Sequence, residues 1–84
     1  MLDWTVLVVT KYQRRRGVEA FRYYKTPTRG YYAILCGLWR LDIYRREDGE
    51  NVQFLSGREG LTLDEMETII KTEALSEEVD KARV

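Results

Sequence analysis

Between Leu38 and Arg46, apolar and polar side chains alternate one by one. Trp39, Leu41 and Ile43 fall on one side of this stretch. The other side carries polar and aromatic residues, namely Arg40, Asp42, Tyr44 and Arg46. A period of two is typical of an antiparallel strand with one buried and one polar face. The chain is therefore expected to build a sheet around this strand.

Three earlier segments have strand composition. Residues 4–12 are rich in β-branched and aromatic side chains and lead to a turn-like stretch that ends at Gly17. Residues 18–26 resume the strand composition until Pro27, and the two segments are expected to form a hairpin. The third predicted strand is Tyr31 to Cys36.

A change of phase marks the end of this third strand. Its apolar positions are even-numbered (Tyr32, Ile34 and Cys36), whereas those after Gly37 are odd-numbered. The change predicts a tight turn or a bulge at Gly37. A short helix over residues 29–38 is the alternative interpretation.

The next hairpin has the strongest turn signal in the chain. Glu47 to Glu50 has Asp-Gly at its centre, and such pairs tolerate the positive φ of tight turns. Val52 to Leu55 is predicted to be the returning strand. Ser56 to Gly60 is predicted to be a glycine-flanked loop.

A helix is predicted after this loop, to about Leu75, because apolar residues recur at three- and four-residue spacing. They are Met66, Ile69, Ile70 and Ala74. Thr62 or Asp64 is expected to cap the helix, with Glu65 or Glu67 completing a capping box. These glutamates are otherwise expected on a solvated face. The apolar stripe is expected to pack on the sheet, and a dimer contact is the alternative.

Charge divides the chain into two halves. Residues 1–46 carry ten basic and three acidic side chains, whereas residues 47–84 carry four basic and eleven acidic ones. All ten aromatic residues except Phe54 also fall in the basic half. Basic side chains interleaved with aromatic rings suit a surface that holds phosphates and stacks bases, and an acidic segment repels the same ligand.

The sequence thus predicts a single-stranded nucleic-acid-binding domain over residues 1–76 and a frayed acidic tail over residues 77–84. The candidate binding residues in the basic half are Arg14, Arg15, Arg16, Arg22, Tyr24, Lys25, Arg29, Arg40, Tyr44, Arg45 and Arg46. Among them, Arg40, Tyr44 and Arg46 are expected to share one strand face, and Arg22 and Tyr24 to share a face of another strand.

Several tyrosines have a second interpretation, as core residues whose hydroxyls reach the rim of the domain. They are Tyr23, Tyr24, Tyr31 and Tyr32. Trp4 and Trp39 are expected in the core. A chain of 84 residues buries only a modest core, so a dimer is also expected.

Catalytic, metal and membrane functions are not expected. The chain has no histidine, the commonest general base and metal ligand, so neither an enzyme nor a cofactor is predicted. Its one cysteine cannot form an internal disulfide, which favours an intracellular location. The apolar run from Val6 to Val9 is too short for a membrane span or a signal peptide.

Residues 41–75 combine three motifs in a fixed order. Leu-Asp-Ile begins at Leu41, Gly-Glu begins at Gly49, and Gly-Arg-Glu-Gly-Leu-Thr-Leu leads from Gly57 into the predicted helix. In this order they resemble the positive-cofactor-four family of transcriptional coactivators and its bacterial and viral relatives. Glu59 stands where that family has a second basic loop residue.

The resemblance implies a curved four-stranded antiparallel sheet followed by one C-terminal helix, and so an α+β fold. It also implies a homodimer that binds single-stranded or melted DNA with little sequence preference, in transcription, replication or repair. Arg58 matches a loop residue that contacts the nucleic-acid backbone in the family. A protein partner in the transcription or replication machinery is compatible with this function, in the cytoplasm, nucleoid or nucleus.

The alternative is a protein-interaction module, such as a small viral inhibitor of a host protein. Zero net charge and the acidic Glu59 favour this hypothesis, because opposite charge poles on one chain can dock on a partner or on a second copy.

Overall fold

The computed structural model describes residues 2–47 and 50–82, with side chains as far as Ser76. In chain order its elements are β1 (Thr5–Val6), α1 (Lys11–Arg15), β2 (Ala20–Lys25), β3 (Arg29–Cys36), β4 (Leu38–Glu47), β5 (Glu50–Leu61) and α2 (Leu63–Ala82). The strands form one antiparallel sheet in the order β1-β2-β3-β4-β5. The sheet followed by α2 confirms the predicted α+β class.

The first predicted strand, residues 4–12, is wrong beyond its start. β1 pairs with β2 as expected but has only two residues. Thr10 instead caps α1: its hydroxyl accepts from the Gln13 N–H, and the Gln13 side chain accepts from the Thr10 N–H. This capping box favours a helical turn. Beyond β1 the ladder is continued by one bond, from the Leu7 N–H to the Phe21 carbonyl at 2.9 Å.

The next strands form where they were predicted, and the alternative helix over residues 29–38 is wrong. The tight turn predicted at Gly37 is confirmed, but the parity of the apolar positions does not change the side of the sheet between the two strands. Tyr31 pairs with Ile43, so odd-numbered residues share one side of both β3 and β4. Gly37 makes a tight turn with a φ of +77°, a conformation that favours glycine. Cys36, expected in the buried set, is exposed where the strand ends.

β4 and β5 form the predicted hairpin, in which Glu47 pairs with Glu50. The turn residues Asp48 and Gly49 lie outside the described residues. The predicted loop over residues 56–60 is wrong, because β4 is long enough to offer backbone partners to this stretch. Pairing with a neighbouring strand outweighs the glycine-rich composition. The ladder shifts register at three points along its length.

α2 begins with a capping box, as predicted. Thr62 Oγ1 accepts from the Glu65 N–H and Glu65 Oε1 accepts from the Thr62 N–H, both at 3.1 Å. The helix ends at Ala82 rather than near Leu75. Fraying of residues 77–84 stays a prediction. No helix in the described part of the chain is long and apolar enough to cross a membrane.

The apolar stripe of α2 packs on one side of the sheet, as predicted. The buried core consists of Tyr31, Ala33, Leu41, Ile43, Met66 and Ile70. Trp4 and Trp39 pack against this core as partly buried residues. Met66 and Ile70, the two core residues that α2 contributes, lie on this one side of the sheet.

Glu67 was expected on a solvated face, but its side chain is buried, with 8% exposure. Its Oε2 accepts hydrogen bonds from the Leu2 N–H at 2.6 Å and from Trp4 Nε1 at 3.2 Å. The bond from Leu2 contributes most to lowering the pKa of Glu67 below its ordinary value. Glu67 thereby joins the segment before β1 to α2.

Candidate nucleic-acid interface

The sheet surface opposite α2 is here named the open face. The alternation of side chains along each strand determines which residues lie on it. Tyr31 and Ile43 are buried on the α2 side, so the adjacent Tyr32 and Tyr44 lie on the other side. Each strand from β2 to β5 contributes at least one aromatic ring to this side. These rings, named the aromatic row, belong to Phe21, Tyr23, Tyr32, Tyr44 and Phe54.

The rings of the aromatic row contact one another across the strands. The centroid of Tyr32 lies 4.8 Å from that of Tyr23 and 5.4 Å from that of Phe21. The centroid of Tyr44 lies 5.5 Å from that of Tyr32 and 5.4 Å from that of Phe54. Distances of this size are those of packed aromatic pairs. The row therefore forms a continuous apolar surface with hydroxyl groups at its tips.

Asn51 of β5 holds two of these hydroxyls. Its Nδ2 donates to the Tyr32 hydroxyl at 2.9 Å, and its Oδ1 accepts from the Tyr23 hydroxyl at 3.4 Å. Gly30 leaves the necessary room, since a Cβ there would lie 2.5 Å from Asn51 Oδ1. Burial, followed by the neighbouring Tyr23, raises the pKa of Tyr32. The two hydrogen bonds to Asn51 fix this part of the row.

Arg40, predicted to contact nucleic acid, is held by two carboxylates on the open face. Its Nε donates to Asp42 Oδ1 at 2.6 Å and its Nη1 donates to Glu59 Oε1 at 2.8 Å. Gly57 makes this arrangement possible, because a Cβ there would collide with the guanidinium group. The bond to Asp42 contributes most to raising the pKa of Arg40. Two negative charges outweigh one positive charge, so this group offers little attraction to phosphate.

Two further cations lie on the open face. Lys25 is exposed at the end of β2, two positions after Tyr23. The Arg46 side chain donates from Nη1 to the Thr26 carbonyl, and its backbone N–H donates to the Thr28 carbonyl at 2.8 Å. Arg46 thus ties the β2–β3 connection to β4 and keeps its positive charge near this end of the row.

An open depression of about 470 Å³ lies in the middle of the open face. Its walls are three rings of the aromatic row and two aliphatic side chains, with Asp42 and Asn51 as the polar residues. A neighbouring groove places Arg14 of α1 beside Phe21. Lys25 and Arg46 therefore lie beside the aromatic row on β2 and β4, and Arg14 of α1 shares a groove with Phe21.

The predicted binding residues do not share one surface. The open face carries Lys25, Arg40, Tyr44 and Arg46, of which the last three share a strand face as expected. The α2 side of the sheet carries Arg22, Tyr24, Arg29, Arg45 and Arg58. Arg14 and Arg15 are exposed residues of α1, and Arg16, which is also exposed, is its C-cap.

Arg22 and Tyr24 share a face, as predicted, but it is the α2 side. The Arg22 guanidinium lies 5.7 Å from the centre of the Trp39 ring. Tyr24 packs with Tyr31, their centroids 6.3 Å apart. Both side chains therefore contribute to packing around the core rather than to the open face.

Arg58, expected in a loop, lies in β5 and pairs with Leu41. It lines a groove with Asp64 and Glu65 of α2. Arg29 on the same side approaches an acidic residue of α2, with its Nε 4.0 Å from Glu73 Oε2. The acidic helix thus accompanies these cations, and it would repel a nucleic acid that approached them.

Sequence reasoning missed most of the aromatic row. Phe21 and Phe54 were not assigned to a binding surface. Tyr23 and Tyr32 were given the same two interpretations, binding or core, as Tyr24 and Tyr31. The structure separates these tyrosines, because the register places Tyr31 and Tyr24 on the α2 side and Tyr23 and Tyr32 on the open face. The even-numbered apolar positions of β3 were the available signal, and they mark the open face rather than the core.

Comparison with known proteins gives no match: no family model, no curated protein and no solved structure matches the chain.

Proposed function

We propose that the protein binds single-stranded DNA or RNA with little sequence preference, and that the bases stack on the aromatic row of the open face. The contact between rings of four adjacent strands is the observation that carries this proposal. A base stacked on an aromatic side chain contributes about 1–3 kcal/mol, and every base has a face that can stack.

Two rings of the site are already held in place by hydrogen bonds, and this supports the proposal. Asn51 fixes Tyr23 and Tyr32 through their hydroxyls, so binding need not order these rings. Less conformational entropy is then lost when the strand binds. Lys25 and Arg46 are suitably placed for phosphates on the open face, whereas Arg40 is neutralised by its two carboxylates. Stacking should therefore supply more of the affinity than charge does.

The direct test is a titration of fluorescently labelled oligothymidine at two salt concentrations. Binding is expected at low salt and should weaken as salt increases, with a logarithmic slope of about 0.7 for each phosphate contact. An absence of binding at low salt would remove the proposal. Salt-independent binding would contradict the role of the cations.

Assembly and pathway form the second part of the proposal. The resemblance to the positive-cofactor-four family supports a homodimer that acts within the cell, in transcription, replication or repair. Light scattering of the purified protein measures its mass in solution. A mass equal to that of one chain would contradict the dimer and leave strand binding untouched.

One observation favours the alternative, a protein-interaction module. Val6, Val8 and Leu38 are large apolar side chains with exposures of 75%, 84% and 69%. Apolar side chains left in water are available to a protein partner. A stoichiometric protein recovered from a nuclease-treated lysate, together with a failure to bind oligothymidine, would favour this function over strand binding.

A further inference from the structure

The open depression contains a hydrogen-bonding group that stacking alone does not use. Asp42 lies there between apolar walls, close to the Tyr32 and Tyr44 rings. Its role depends on the proposed function, since a strand that follows the aromatic row would bring its bases to this depression.

The Asp42 carboxylate is held in a fixed position. Its side chain is 13% exposed, and its Oδ1 accepts from Arg40 Nε at 2.6 Å. Asn51, the other polar side chain of the depression, is engaged with the hydroxyls of Tyr23 and Tyr32. Asp42 is therefore the strongest acceptor that the described residues of the depression offer to a ligand.

The neighbouring Arg40 decides which kind of ligand suits this acceptor. A methylated lysine would fit an aromatic site through its positive charge. Here the Arg40 guanidinium already lies 2.6 Å from Asp42 Oδ1 and would repel a second cation at this carboxylate, whereas the remaining negative charge of the group is on the exposed Glu59. A neutral donor still gains, because a hydrogen bond to a charged acceptor is stronger than one between neutral groups.

Nucleobases differ in the donors that they present on their Watson–Crick edge. Guanine has its N1–H and its 2-amino group side by side, and one carboxylate can accept from both. Thymine and uracil place a carbonyl oxygen on each side of their single N–H, and a carboxylate repels these oxygens. Cytosine and adenine offer an amino group next to an acceptor nitrogen. Reading of this edge is the usual source of sequence preference in single strands.

We propose that the depression receives one base of the bound strand and selects guanine. Asp42 accepts from N1 and the 2-amino group, and the rings of Tyr32 and Tyr44 contact the base. Stacking elsewhere along the aromatic row stays tolerant of sequence. The protein would then bind many single strands and prefer those that contain guanine.

Three labelled oligonucleotides test this selection by fluorescence anisotropy: an oligothymidine, the same strand with one central guanine, and the same strand with hypoxanthine, which lacks only the 2-amino group. The guanine strand should bind roughly tenfold more tightly than oligothymidine. The hypoxanthine strand should lose much of this gain. Equal affinities would overturn guanine selection alone, whereas no binding by any strand would overturn the proposed function as well.

Two variants assign the effect to Asp42. Asp42→Asn should reduce the ratio of guanine to thymidine affinity to about one, since the carboxylate supplies the discrimination. Glu59→Gln is the matched control, because Glu59 also binds Arg40 but its side chain is 70% exposed and lies outside the lining of the depression. In Glu59→Gln the ratio of guanine to thymidine affinity should stay high.

A guanine preference that persists in folded Asp42→Asn protein would overturn the assignment. If that variant does not fold, the hypoxanthine strand on the unaltered protein decides: affinity equal to that of the guanine strand overturns the proposal. Competition of a trimethyl-lysine peptide with the guanine strand would also overturn it, in favour of a cationic ligand.

Discussion

Tyr31 and Tyr32 are neighbours in β3, yet they belong to different surfaces. Tyr31 has no exposed area and its hydroxyl donates to Glu73 of α2 at 2.6 Å. Tyr32 lies on the open face, within the aromatic row and next to Asn51. The same residue type thus stabilises the fold on one side of the sheet and is available to a ligand on the other. Strand register, rather than residue type, separates the two roles.

The largest expected difference between the two sides is in stability. Leu41→Ala removes a fully buried side chain beneath α2 and should lower the free energy of unfolding by about 2–5 kcal/mol. Ile34→Ala on the open face should cost less, because Ile34 is only half-buried. Urea denaturation of both variants measures the difference, and equal losses would break the distinction between the faces.

For binding affinity, a substitution on the open face should have the larger effect and one on the α2 side the smaller. Tyr23 and Tyr24 are neighbours that test this. Tyr23→Leu removes a ring from the aromatic row and should weaken oligothymidine binding by about 1–3 kcal/mol. Tyr24→Leu alters the α2 side, so it should lower stability and leave the affinity of the folded protein unchanged. Anisotropy titrations, made where both variants are folded, compare them. An effect of Tyr24→Leu on affinity as large as that of Tyr23→Leu would contradict the open face as the binding surface.

Glu67 should make the α2 side sensitive to acid. Its folded pKa is lowered, so its contribution to stability is full above the unfolded pKa of about 4.3 and is lost as the pH falls through the folded pKa. Glu67→Gln should cost about 1 kcal/mol at neutral pH. The difference from the unaltered protein should shrink below about pH 4. Thermal unfolding across this range measures it, and a difference that does not change with pH would show that the Glu67 charge is unimportant.

The smallest expected effect concerns single cations. Lys25→Gln should reduce the logarithmic salt slope of oligothymidine binding by about 0.7, the loss of one phosphate contact. Arg58→Gln, on the side of the acidic helix, should leave the slope unchanged. Anisotropy titrations over a series of salt concentrations give both slopes. A larger change for Arg58→Gln would place the phosphates on the α2 side.

Two elements that depend on residues close together in the sequence were predicted correctly. The alternation along β4 and the Thr62–Glu65 capping box are written in adjacent residues, and both were predicted. The strand over 56–60 was missed because it depends on pairing with β4, which outweighs its glycines. Residues 4–12 were misjudged because the Thr10 capping box begins α1 within this stretch of strand composition.

The candidate site was harder to predict than the fold. Arg40 and Tyr44 could be placed on one face because they belong to one strand. Combining them with Tyr23 and Phe54 requires the register between strands, which no single segment contains. The partners of Arg40 also come from two strands, Asp42 from β4 and Glu59 from β5. The neutralisation of Arg40 therefore could not be read from charge counts.

Chemical-shift mapping by NMR, with oligothymidine added to isotope-labelled protein, tests most directly which face binds. Binding on the open face predicts the largest perturbations at Tyr32, Tyr44 and Phe54, with smaller ones at Lys25. Shifts confined to Arg22 and Arg58 on the α2 side would contradict it, as would a spectrum that does not change at low salt.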